Sequence, residues 1–435
     1  MPLRAAPARR PRDAPIPDRL GYIDPMPPTI SPLRRMVAVL GACLAASLAS
    51  CTPGPYRNSL NHEQLMEATR EFDAESLAAS QRVFQSILRR MEHEADAHAA
   101  DSSSPEPTID ILSISGGGDF GVFGAAFLES WGKLPADHPV ARPHFDVVGG
   151  ISTGALIAPF AFMGTEESLN QAVQTYVTAK PDWVTFRGLL SLFPQNAALF
   201  DMTKLEKAIR ERVTLDLITE IASDANEHRV LLAGSTDLDL ARMKVWNMSS
   251  EARRAVKEKS AARFQEILLS SAAIPIAFPA RSIDGKAYAD GGVVGNVLMG
   301  RDPEWVVKLA EVWKSRRPGA AMPKVRMWVL VNNKARLDPQ FIECNWMPVG
   351  ARCVAASTHA STVAALQQMY LRYKLAAVET GIQAEFRWVA IPEAFEIPHS
   401  DRMFDPKVTG PLAELGTKMG ATPETSWLTK PPTSD

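Results

Sequence analysis

Three short segments of the chain hold residues whose types and spacing could do chemistry together. Gly150-Ile151-Ser152-Thr153-Gly154 closes an apolar run and has the form G-x-S-x-G. Small residues on either side of the serine permit a sharp strand-to-helix turn that leaves its Oγ exposed as a nucleophile. Upstream, "SGGGDFG" places Gly116, Gly117 and Gly118 between an apolar run and an amphipathic one. Consecutive backbone N–H groups at a helix N-terminus attract an anion, because the unpaired donors and the helix dipole both favour negative charge. Gly116, Gly118 and Gly121 also satisfy G-x-G-x-x-G, the spacing of a dinucleotide-binding turn. That turn requires an acidic residue closing the second strand, roughly twenty residues on. Here "FDVV" runs into "GGISTG" with no carboxylate, so the loop is assigned to an acyl oxyanion instead. The N–H groups of Gly117 and Gly118 would then face a tetrahedral intermediate beside Ser152, each contributing about 3 kcal/mol. The third segment, "YADGGVVGN", supplies Asp290 after a short apolar strand, with Gly291 and Gly292 letting the backbone pass close to another loop.

"GGGDFG", "GISTG" and "DGG", in this order and at these separations, resemble the motifs of the patatin-like phospholipases, in their exported-lipoprotein branch. The resemblance covers roughly residues 108 to 300. It implies a three-layer α/β/α fold and a lipid acyl hydrolase of the phospholipase A or lysophospholipase type that needs no cofactor or metal. It also implies a Ser-Asp dyad, with Ser152 as nucleophile, Asp290 as general base and Gly116, Gly117 and Gly118 as oxyanion hole, Gly150 and Gly154 flanking the elbow. An aspartate of ordinary pKa near 4 is a weak base at neutral pH, so burial must raise it or proton transfer must be concerted with attack. One departure is that the family often has Arg or Lys in the glycine loop, where this chain has Asp119 and Phe120. "SSAAIPIAFPA" is similar to a family segment read as scaffold, and Asn296 matches a family asparagine read as turn-forming. Two other readings stay open: an α/β-hydrolase triad using His359 or His399 as base, since Ser, Asp and His occur in that order, and a non-catalytic lipid-binding lipoprotein.

The elements that must position these residues follow from hydrophobic period. "IDILSIS", a helix from near Gly121, "FDVVGG" and a helix over about 153–163 alternate strand with helix, which predicts a mainly parallel central sheet covered by helices on both faces. Residues 61–100 have helical spacing and no Pro or Gly, predicting one or two amphipathic helices, followed by a linker, "DSSSPEP". "HRVLLAGSTDLDLARMKVWNM" reads as two strands about a turn, and "KAYADGG", "VRMWVLVNN" and "AEFRWVAIPE" as further strands. His359 falls in a long helical stretch. The organisation expected is a leader and signal over 1–51, a helical segment and linker over 52–107, a catalytic domain over 108–400, and a tail over 401–435 that frays.

The first 60 residues differ in kind, being rich in proline and arginine. Arg34 and Arg35 precede an apolar run over 36–49 that is too short to span a bilayer and fits a signal h-region. Leu48-Ala49-Ser50-Cys51 resembles the bacterial lipobox, which implies acylation of Cys51, tethering to the membrane that holds the lipid substrate, and, with Thr52 next, the periplasmic side of the outer membrane. Such export agrees with cysteine usage: Cys344 and Cys353, in a segment read as a loop, could pair in an oxidising compartment. No His or Cys cluster has zinc spacing. A net charge of -2 with no long basic run gives nucleic-acid binding no support.

Overall fold

The computed structural model describes residues 59–103, 106–188, 198–225, 228–300 and 302–433. The described residues all lie within one compact unit, Pro55–Asp435. The signal-like run and Cys51 lie outside them. Residues 62–100 form one continuous helix, α1 (His62–Ala100), opened by a capping box between Asn61 and Gln64. The elements after it are β1 (Thr108–Ile114), α2 (Gly121–Gly132), β2 (Val147–Ile151), α3 (Thr153–Met163) and α4 (Glu166–Val177). A short antiparallel pair, β3 (Thr185–Phe186) and β4 (Phe200–Asp201), precedes α5 (Thr203–Arg212) and α6 (Leu215–Asp224). The chain continues through β5 (Val230–Asp237), β6 (Arg242–Asn247), α7 (Met248–Glu258), α8 (Ala262–Ser271), β7 (Arg281–Ile283) and β8 (Lys286–Asp290). It closes with α9 (Trp305–Arg316), β9 (Lys324–Lys334), α10 (Trp346–Thr380), β10 (Gln383–Ile391) and α11 (Pro406–Ala421).

The strands form a mixed eight-stranded sheet in the order β10-β9-β1-β2-β5-β8-β7, with β6 also on β5. From β10 to β5 every neighbour is parallel; β6, β7 and β8 are antiparallel to their partners. Successive strand residues feed different cores. Leu112, Val148, Trp328 and Leu330 pack with α2, α3, α8 and α11, whereas Ile109, Val147, Met327 and Val329 pack with α1, α9 and α10. Burial on both faces explains why these strands read as continuous apolar runs, and the result is the three-layer α/β/α fold expected.

Two sequence expectations fail. Residues 401–433 do not fray: α11 lies on α2, at a distance set by Gly416 and Gly420, whose added Cβ atoms would sit 2.3 Å from the carbonyl oxygens of Phe123 and Phe127. Beyond it Trp427 enters an aromatic cluster 5.0 Å from both Trp131 and Trp328, and Leu428 exchanges backbone hydrogen bonds with Trp388 at 2.8 and 2.9 Å. Proline density misled because Pro406 occupies the first turn of α11, where its missing N–H has no partner to lose. Nor do the cysteines pair. Cys344 and Cys353 are free and exposed, and the segment read as a loop is the start of α10. Cys353 is carried on that helix, while Cys344 precedes its cap residue Asn345. Because Trp427 is 6% exposed within that cluster, Trp427→Ala should lower stability by about 3–5 kcal/mol in urea unfolding, a loss that a frayed tail would not produce.

Candidate active site

Sheet topology brings the serine and the aspartate together. β2 pairs with β5 from Val147↔Val230 to Ile151↔Gly234, and the chain leaves the sheet at the next residue, Ser152. The next residue of β5, Ser235, pairs with Asp290, the last residue of β8. Since β6 pairs with β5 along Leu232–Asp237 on the other edge, β8 takes over the edge that β2 has just vacated. Asp290 therefore arrives where the ladder would have continued past Ile151, which brings its carboxyl beside Ser152, a neighbour that lowers its pKa against the effect of burial.

Leaving the sheet so abruptly puts Ser152 at φ 53° and ψ -125°, a conformation costing a non-glycine residue on the order of 1–3 kcal/mol. The flanking glycines make it sterically feasible: a Cβ on Gly150 would lie 2.2 Å from the Gly154 carbonyl oxygen, and one on Gly154 2.2 Å from that of Ile114. Fixed hydrogen bonds hold the turn. Ser152 N–H donates to Ser271 Oγ at 3.0 Å, and that hydroxyl donates to the Gly234 carbonyl at 2.6 Å. Asp290 N–H donates to the Ala273 carbonyl at 2.8 Å, its carbonyl accepts from Thr236 Oγ1 at 2.8 Å, and its carboxylate accepts from Gly292 N–H at 2.7 Å. The segment after α8 thus fastens both backbones. Ser271 was not singled out from the sequence; a polar pair, Ser270-Ser271, fully buried at the end of an amphipathic helix, is the signal it offered.

Burial pushes Asp290 up to about 6, against the lowering effect of Ser152 and the Gly292 N–H. A carboxyl with that value is a far better base at neutral pH than an exposed aspartate. Neither histidine of the triad reading contributes to the charge balance of Asp290. His359 lies on α10, and His399 is 79% exposed beside Asp401 at 3.2 Å.

The glycine loop abuts the serine: a Cβ on Gly116 would be 3.1 Å from Ser152 Cβ and 2.4 Å from Asn296 Oδ1. Its role differs from the one the motif implied. Gly116 N–H donates to the Asn296 carbonyl at 3.3 Å, so this donor is engaged away from any substrate, and the residue is glycine because nothing larger fits between Asn296 and Ser152. The N–H groups of Gly117 and Gly118 make no hydrogen bond among the described residues, and they precede the turn that opens α2. Gly118 has φ 60°, and a Cβ on Gly117 would lie 2.2 Å from the Asn332 carbonyl oxygen.

Residues distant in sequence set the loop. Asn332 donates its side-chain Nδ2 to the Ser115 carbonyl at 2.9 Å and its own N–H to Ser115 Oγ at 2.9 Å. Asn296 Nδ2 donates to Thr362 Oγ1 of α10 at 3.0 Å, which makes Asn296 a strut between the loop and a helix. Asp119, standing where a cation was expected, accepts from Phe404 N–H at 2.9 Å and is pushed up by burial. Its carboxylate ties the loop to the segment entering α11. No spacing rule reaches Asn332, Thr362 or Phe404, which meet the loop only through the fold.

A strand-turn-helix serine beside a buried aspartate and backbone donors, at the carboxyl ends of parallel strands, has the placement that α/β proteins use for ligand and nucleophile sites. Residues 112–300 match the family described as patatin-like phospholipase. Among curated proteins the chain is similar to a cGAMP-activated phospholipase of Pseudomonas aeruginosa, 26% identical over 196 residues. That match covers 44% of this chain and 54% of the relative, so it reaches only about half the relative's length. Among solved structures, VipD from Legionella pneumophila aligns with a TM-score of 0.34 and 12% identity over 75% of this chain and 68% of that one.

The Asp290 value has a consequence for stability. A carboxyl raised from 3.8 to about 6 in the folded state favours folding at pH values below its unfolded pKa, and that contribution is lost as pH rises through about 6. Asp290→Asn removes the buried charge, so its melting temperature relative to the parent should climb between pH 4 and 6 and level off above, a gain on the order of 2–3 kcal/mol. Thermal melts across that range check it, and a flat difference would mean that Asp290 is not held in the state described.

Proposed function

We propose that this protein is a serine lipid acyl hydrolase of the phospholipase A or lysophospholipase type, acting through a Ser152-Asp290 dyad. The observation that carries the reading is the sheet register that sets a buried Asp290 carboxyl, pushed up to about 6, beside the Ser152 turn. In the first step Asp290 takes the hydroxyl proton as Oγ attacks the ester carbonyl, and the N–H groups of Gly117 and Gly118 receive the developing oxyanion. Collapse expels the alcohol, protonated by Asp290, and leaves an acyl-enzyme. Water then attacks with Asp290 again as base, and the free acid departs. Exposed apolar residues just past the Asp290 turn agree with a lipid substrate: Val293 and Val294 are 54% and 43% exposed. The patatin-like match and the phospholipase relative support the same class.

Attachment to the membrane belongs to the proposal as well. Among the described residues no helix is long and apolar enough to cross a bilayer, and "LASC" offers acylation of Cys51 on the periplasmic side of the outer membrane instead. Two or more acyl chains give stable anchoring where one is marginal. Mass spectrometry of protein from its native host should find the mature N-terminus at an acylated Cys51; an unmodified N-terminus removes this part of the proposal.

On a soluble chromogenic ester, Ser152→Ala should abolish turnover and labelling by a fluorophosphonate. Asp290→Asn should lower kcat by several orders of magnitude with KM little changed, because the amide keeps the shape but cannot take the proton. Wild-type kcat/KM should fall tenfold per pH unit below about pH 6, as the raised carboxyl becomes protonated. His359→Ala and His399→Ala should stay within a few fold of wild type, whereas a collapse in either would transfer the base to a histidine.

A further inference from the structure

On the sheet face covered by α1, α9 and α10, a cavity of about 820 Å³ opens, within the roughly 300–1,000 Å³ of small-molecule sites. Its floor includes Ile111, Val147 and Leu232 of the sheet, and its roof Val83 and Phe84 of α1. Neither Ser152, Asp290 nor the glycine loop lines it. The gap arises from how α1 is held. Asp73 and Glu75 pair with Arg242 and Lys244 of β6 at 2.6 and 2.8 Å, while Arg90 pairs with Asp146 at 2.9 Å and Asp96 with Arg317 at 2.6 Å. Pinned on either side, the intervening turns stand off the sheet over apolar side chains.

Part of the cavity lining is polar and incompletely satisfied. Tyr373 of α10 lines it at 3% exposure, and its hydroxyl has no hydrogen-bond partner. A buried hydroxyl left unbonded is costly, and burial pushes this phenol up, so it is a neutral donor. Arg372, the preceding residue, also lines the cavity, with one hydrogen bond to the Gly300 carbonyl at 3.1 Å. Of the acids lining the cavity, Asp302 pairs with Lys308 at 2.6 Å and Asp73 with Arg242, while Glu311 makes no ion pair among the described residues. An orphaned donor and a cation in the lining of a mainly apolar chamber match an acyl chain that ends in a carboxylate.

We propose that the cavity beneath α1 binds one free long-chain fatty acid, its carboxylate received by the Tyr373 hydroxyl and the Arg372 guanidinium and its chain lying between the sheet and α1. The site is separate from the catalytic one and does not depend on its chemistry.

Palmitate titrated calorimetrically into full-length Ser152→Ala protein should bind saturably at one site. Binding should persist in wild-type protein whose Ser152 is blocked by a fluorophosphonate; its loss there would put the chain in the catalytic site and overturn the proposal. Tyr373→Phe should weaken palmitate about tenfold while the ligand-free melting temperature stays level or rises, since the deleted hydroxyl had no partner. Ala79→Trp, which fills the chamber from α1, should abolish binding and leave hydrolysis of a soluble ester unchanged in the Ser152 protein. No saturable binding, equal binding by both variants, or equal affinity for the glycerol ester of palmitate would each overturn the proposal.

Discussion

The exchange of one strand for another along a single edge of β5 is the constraint on which the site depends. β2 leaves that edge at Gly234 and β8 enters it, antiparallel, at Ser235. A parallel strand that ends and an antiparallel strand that ends there bring two chain reversals face to face, so Ser152 and Asp290 meet without either lying on a long flexible loop. Sites built on strand ends hold their geometry more closely than sites built on loops. The antiparallel β7-β8 pair thus delivers an acid to the point where the parallel sheet delivers a nucleophile.

Holding that geometry has a cost, and the surroundings are arranged to sustain it. Ser152 is strained, with a positive φ, and Asp290 is a carboxyl in a buried site that disfavours its charge. Neither would persist alone. The segment 270–273 bonds both backbones, Thr236 bonds the Asp290 carbonyl and Gly292 its carboxylate. The same burial that makes the charged form costly moves the acid towards the pH at which it can exchange protons with a hydroxyl. Strain and raised basicity therefore have one origin, the close packing at the end of β2.

The two faces of the sheet are filled differently. The face carrying α2, α3 and α11 is tightly joined, with helices brought to backbone contact at Gly416 and Gly420 and an aromatic cluster around Trp131. The other face closes on α9 and α10 but is spanned by a long helix whose ion pairs hold it at intervals. Ion pairs fix where a helix sits without demanding that its apolar side chains interdigitate. A chamber can therefore persist there, where interlocking side chains would have closed it.

The sequence by itself determined the local chemistry and the class of the fold. Gly150-Ile151-Ser152-Thr153-Gly154 encodes a strand-to-helix turn because only small residues fit where Gly154 passes the Ile114 carbonyl, and apolar runs alternating with amphipathic ones encode a helix-covered parallel sheet. These are short-range rules, written in neighbouring residues. Only the tertiary structure decided which loop donor stays free: Gly116 looks like Gly117 in the sequence, yet its N–H is taken by Asn296, 180 residues away. It also decided that Asp119 binds Phe404, that the proline-rich end is core because Trp427 stacks on Trp131, and that Cys353 is carried off along a helix. Each of these outcomes depends on long-range contacts, whose partners have no fixed spacing, and so the linear pattern could not name them.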